Sequence, residues 1–212
     1  MSDQPSAEFI AAETRAWVER AVIGLNLCPF AKAPQAKGLV RYAVCEARDA
    51  DGLLAALVDE LNRLAEAPPA RLETTLLIHP WVMYDFAEHN DFLEIAEAAI
   101  DHLDLAGIIQ VASFHPQYQF ADTEPDAIGN ASNRSPYPTL HLLREDSIER
   151  AVEAFPDAEA IYGANIATLE RLGHAAWDAL QQQCHDDACA ASAASAASSM
   201  GDGDIPPQER RH

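Results

Sequence analysis

The 212-residue chain is poor in basic residues and in cysteine. Lysine and arginine number 14 against 34 aspartates and glutamates, giving a net charge of −20. A surface that acidic repels phosphate backbones, so nucleic acid is excluded as a partner. The four cysteines, Cys28, Cys45, Cys184 and Cys189, show no CxxC spacing. They read as reduced thiols, not a disulfide frame. No apolar run reaches the roughly 18 residues of a membrane span, and "MSDQPSAEF" lacks the basic start and apolar stretch of a signal peptide. A cytoplasmic protein with no membrane partner is the expectation. P-loop, GxGxxG, GxSxG, HExxH and HxH motifs are all missing. Nucleotide binding of those kinds and α/β-hydrolase chemistry therefore have no support.

What is present is a chain 49% hydrophobic, enough for one full core. Apolar residues at 3- and 4-residue spacings predict helices over about 6–25, 50–66 and 88–104. "LVRYAVC", "TTLLI" and "IIQVASF" predict strands between them. This β-α-β-α-β order implies parallel strands joined by right-handed crossovers. The 23 residues from Pro116 to Pro138 have no helical period, and a loop that long in a compact domain is usually functional or disordered. "TLHLLR" then predicts a fourth strand, most simply an antiparallel return because no crossover helix precedes it. The fold class expected is α/β: a mixed sheet of about four strands with flanking helices. Residues 1–184 read as one globular domain. Residues 185–212, Ala/Ser-rich and then Gly/Pro-rich, read as a disordered tail.

Chemistry points to the strand ends, where open parallel sheets bind ligands. His79-Pro80 and His115-Pro116 each close an apolar strand, and His141 stands near the start of the fourth. If that strand is antiparallel, the three imidazoles could meet at one rim. There they could hold Zn or Fe, or serve as acid–base groups. Asp85, Asp91 and Asp122 are possible carboxylate additions. A hydrogen-bonded corner is the plainer role for any one of these histidines. Cys28, in "NLCPFAK", is a candidate nucleophile or soft ligand, or an apolar plug beside Phe30.

Two stretches, 20–45 and 127–144, have basic residues and no Asp or Glu, which suggests an anion-binding surface. Lys32 belongs to the first. In the second, Arg134 suits a carboxylate or phosphate, and Asn133, Ser135 and Tyr137 could complete a polar cradle. The same residues also favour an ordinary surface turn.

"GLNLCPFA", "GIIQVASFHPQYQFADT" and "NRSPYPTLHLLRE", in that order, resemble the bacterial and plant family called domain of unknown function 1415. The resemblance covers roughly residues 8–173 and implies no known activity or cofactor. It marks Cys28, His115, Tyr118, Phe120, Asn133, Arg134, Ser135, Tyr137 and His141 as motif positions. The function expected is an enzyme, hydrolase or oxidoreductase, acting on a small anionic molecule with metal assistance. His115, His141, Cys28 and Tyr118 are its candidate catalytic residues. Arg134, Asn133, Ser135, Tyr137 and Lys32 are its candidate substrate contacts, and His79, His115 and His141 its candidate metal ligands. A non-catalytic small-molecule or metal-binding protein, or a protein-interaction domain, is the alternative.

Overall fold

A computed structural model describes residues 4–154 and 158–200. β1 (Val40–Val44) leads through α3 (Ala50–Glu66) to β2 (Thr74–Ile78), its parallel neighbour. β2 leads through α4 (Phe86–His102) to β3 (Ile109–Phe114). β4 (Thr139–Arg144) pairs antiparallel with both β2 and β3, giving the order β1-β2-β4-β3. The first three strands therefore run the same way, as the β-α-β-α-β order predicts. The fourth lies between the second and third instead of at an edge, so only β1 and β2 form a parallel pair.

This topology puts both crossover helices on one face. Each crossover advances in the same direction across the sheet, and right-handed connections that do so must lie on the same side. Leu53, Leu57, Leu61 and Leu64 of α3 and Phe92, Ala96 and Ile100 of α4 pack there against Leu77, Leu140 and Leu142. Arg144 ends β4 on this frame. Its guanidinium donates to the carbonyls of Leu64 at 2.5 Å, Ala67 at 2.6 Å and Leu72 at 3.2 Å. A cation on the last carbonyls of α3 satisfies groups that Pro68 and Pro69 cannot reach, and it opposes the helix dipole.

The other face is covered by the two ends of the chain. α1 (Ala7–Trp17) continues as a π-helical turn, Val18–Ile23, so the helix expected over 6–25 is present with a bulge near its end. A short helix, α2 (Lys32–Ala36), interrupts the loop expected after it. α4 starts two residues before the predicted 88 because the Asp85 carboxylate accepts from the N–H groups of Ala87 and Glu88. Asp85 is thus a helix cap. A 3-10 turn, Ile128–Asn133, stands within the long loop. α5 (Glu145–Ala154) follows β4 without a break and α6 (Ala158–Leu172) follows it.

The tail expected from residue 185 is not what the structure has up to residue 200. α7 runs unbroken from His174 to Met200 and packs along α1. Cys184 and Ala188 are buried against it. Arg20 holds Asp187 through two bonds at 2.6 and 3.0 Å, and His185 Nδ1 meets the Glu13 carboxylate at 3.0 Å. The segment has few large apolar side chains, and a closely packed helix pair does not need them. Alanine has the best helix propensity, and small residues let two helices approach closely, so little side-chain volume is needed to bury a face. Residues 201–212 of that expected tail lie outside the described residues.

A chain ending at Gln183 should therefore be destabilised, by about 2 kcal/mol or more, which lowers the melting temperature by about 4–8 °C. Thermal denaturation of the truncated and full chains measures this, and an unchanged midpoint would mean that α7 contributes nothing beyond Gln183.

Candidate functional site

Strand parity divides the histidines. Successive side chains of a strand point to opposite faces, and His141 sits opposite Leu76 on β2 and Ala112 on β3. Its ring lies 5.7 Å from that of Phe114, on the face covered by α1. His115, one residue past Phe114, turns to the face of α4, where its ring lies 5.0 Å from that of His89. His79 stacks on His89 from the other side at 5.2 Å. The three imidazoles expected at one rim are thus not together: His79 and His115 share a site with His89, and His141 faces away.

The His79–His89–His115 nest does not fit a metal. His115 Nδ1 accepts from the Gln117 N–H at 3.0 Å, so its proton is on Nε2, which donates to the Met83 carbonyl at 3.2 Å. Both ring nitrogens are spent on backbone. His79 Nδ1 donates to the Val82 carbonyl at 3.1 Å, leaving Nε2 without a partner, and neither nitrogen of His89 has one. The His79 and His89 rings are stacked, 18° from parallel, and His115 is tilted 40° to His89. Among the described residues no group of three or more His, Cys, Asp or Glu could hold a metal ion. Burial keeps all three neutral. It lowers His79 to about 4 and His89 to about 3, and it lowers His115 as well.

The polar loop is also largely self-satisfied. Arg134 donates to the carbonyls of Tyr118 at 3.1 Å and Pro125 at 2.5 Å, so it pins the 116–127 segment instead of presenting a free fork to an anion. Ser135 donates to the Tyr137 carbonyl at 2.6 Å, and the Tyr137 hydroxyl donates to Glu13. Tyr118 packs between Phe86 and Phe120. These expected substrate and catalytic residues hold the loop on the sheet.

On the opposite face lies a cavity of about 950 Å³. Its floor is the middle of the sheet: Thr74 and Leu76, His141 and Leu143, Gln110 and Ala112. Its walls include the π-turn residues Val18 and Val22, the segment from Leu27 to Ala31, and Asn133 and Asn165. Cys28, from near the start of the chain, lines this cavity together with Asn133 and His141. Lys32 does not line the cavity; Lys37 does.

His141 is held in one tautomer. The Thr74 hydroxyl has a single proton, which it gives to the Leu142 carbonyl at 2.6 Å. It must therefore accept from His141 Nε2 at 2.8 Å. The lone pair is on Nδ1, and among the described residues no hydrogen bond engages it. Burial lowers this imidazole to about 4, so it is neutral across the physiological range. Cys28 precedes α2, and the backbone amides of Phe30 and Ala31 point at its sulfur and favour a thiolate, but burial outweighs them and the thiol is raised. Asn165 donates to the Leu27 carbonyl at 2.9 Å and fixes the strand of chain that carries Cys28.

The family model described as a protein of unknown function (DUF1415) matches residues 9–179. The chain belongs to that family. No curated protein and no solved structure matches it. The part matched to DUF1415 includes the whole cavity lining and the whole histidine nest.

His89 was missed by the sequence reading, although it lies three residues before Phe92 and seven before Ala96, on the buried face of α4. That spacing was the available signal. Thr74, Gln110 and Asn165 had none, since a threonine or glutamine in a strand and an asparagine in a helix are unremarkable.

The nest makes stability pH-dependent. The folded-state pKa values are depressed, so the unfolded chain binds more protons below about pH 6.5, and stability is full above that pH and lost as pH falls toward 4. His89→Leu removes one such proton uptake and two unpartnered nitrogens. It should reduce the slope of stability between about pH 6 and pH 4 by about 1 kcal/mol per pH unit. Urea denaturation across that range is the measurement, and an unaltered slope would mean that His89 does not take up a proton on unfolding.

Proposed function

We propose that the protein is an enzyme that acts on a small organic molecule bound in the open-face cavity, with His141 as its proton acceptor. The observation that carries this is the Thr74–His141 pair. A buried threonine spends its only proton on a backbone carbonyl, fixes the imidazole as the Nε2–H form and leaves the Nδ1 lone pair in a cavity of ligand size. A neutral, oriented imidazole is what general-base chemistry requires. Cys28 lines the same space as a thiol and would need a base to react. The Asn133 side-chain oxygen accepts from the Ser132 hydroxyl at 3.1 Å, which leaves its amide protons for a substrate oxygen.

The non-catalytic reading uses the same cavity for binding alone, and Asn165 holding the wall in place fits either one. Turnover separates them. Assaying the purified protein against panels of esters, thioesters and oxo acids should yield an activity that His141→Gln lowers by about 10²–10⁴-fold while ligand binding changes little. Turnover surviving intact in His141→Gln would overturn the role of His141. In ¹⁵N NMR of the wild type, His141 should remain the Nε2–H tautomer from pH 8 down to about pH 5, and Thr74→Val should release that tautomer.

A further inference from the structure

We infer that the cavity takes an elongated amphipathic anion, with its acid group at Lys37 and Arg150 and its apolar body laid along the sheet toward Trp17 and Phe114. The inference rests on the cavity being the functional site, and it names the class of molecule that site accepts.

Charge is confined to one end. Lys37 stands just before β1, Glu73 just before β2, and Arg150 on α5, which begins where β4 stops. All three line the cavity at the end of the sheet where β1 and β2 start. Arg150 and Glu73 are 3.8 Å apart, and Arg150 remains largely exposed. Lys37 is exposed. Two cations against one carboxylate leave the mouth positive in a chain whose net charge is −20. Arg144 adds nothing to it, because its donors are consumed by the carbonyls of Leu64, Ala67 and Leu72.

Beyond the mouth the lining carries no charged side chain. Leu143, Leu76, Ala112 and Val22 lead to Trp17 and Phe114 at the other end. The volume, about 950 Å³, is near the top of the range for small-molecule sites, far more than an inorganic anion would fill. Leu143 and His141 are two residues apart on β4, so His141 lies about 7 Å further along the sheet than Leu143, which stands on the charged side of it. An anion anchored at the mouth would thus carry its functional group a few bonds along an apolar chain.

Calorimetric titration with decanoate, decanamide and decyltrimethylammonium, all below micelle formation, tests the class. Decanoate should bind tightest, by about tenfold over decanamide, with the advantage shrinking as salt rises. Lys37→Gln combined with Arg150→Gln should erase that advantage and leave decanamide unchanged. Ala112→Leu and Leu143→Trp, which fill the floor on either side of His141, should weaken both ligands; circular dichroism identifies a variant that fails to fold, and the other then decides. Decanamide or the ammonium binding as tightly as decanoate would overturn the anion, with the cavity reading intact. Decanoate binding unaffected by a folded floor variant would place the ligand elsewhere and overturn the cavity reading itself. No binding by any of the three to the wild type would overturn the amphipath, and the turnover test of His141→Gln would still judge the enzyme.

Discussion

The insertion of β4 between β2 and β3 is the constraint on which the other features depend. Each residue of β4 from Thr139 to Leu143 has a strand partner on each side, so the strand is central and its register is fixed twice, by Leu76 and by Ala112 against His141. A one-residue slip would exchange Leu140 and Leu142, which are fully buried in the α3–α4 core, with His141 and Leu143, which floor the cavity. Such a slip would leave an imidazole without a partner in a leucine core. The register is therefore protected by burial on one face, and the cavity on the other face inherits its geometry.

The two faces use histidine in opposite ways. On the α4 face, His79 stacks on His89 and His115 packs against both His89 and Phe86, and their polar atoms either go to backbone or find no partner. Buried unpaired nitrogens cost stability, and these become worse as pH falls. On the α1 face, His141 has one nitrogen tied down and lines a cavity. The first arrangement packs the rings on one another, and the second leaves space beside the ring. The family motifs serve both faces: His115 and Tyr118 secure the loop over α4, while Cys28, Asn133 and His141 surround the cavity.

The loop between β3 and β4 links them. Its carbonyls and amides are met by Arg134, Asn130 and Ser135. At its end the Tyr137 hydroxyl donates to Glu13 on α1, which His185 of α7 also contacts. The helix pair at the chain ends is in this way fastened to the segment that delivers β4 to the sheet.

Local pattern alone determined the sheet and its two crossover helices. The helical spacing of Leu54, Leu57, Val58, Leu61 and Ala65 and the short β-branched runs marked α3 and β2, and the lack of a crossover helix before Thr139 pointed to the antiparallel return of β4. It also brought Cys28, Asn133 and His141 forward as candidates. Only the tertiary structure decided which of them meet. Whether His141 joins His115 depends on strand parity counted from a register, and register is a property of paired strands and not of either one. Whether Arg134 recognises an anion depends on which carbonyls lie within its reach, Tyr118 and Pro125, brought near by the fold of the loop. The docking of α7 depends on a helix partner 160 or more residues away, as between Arg20 and Asp187. Small residues announce no such contact in the sequence, because the surface they bury is created only when the second helix arrives.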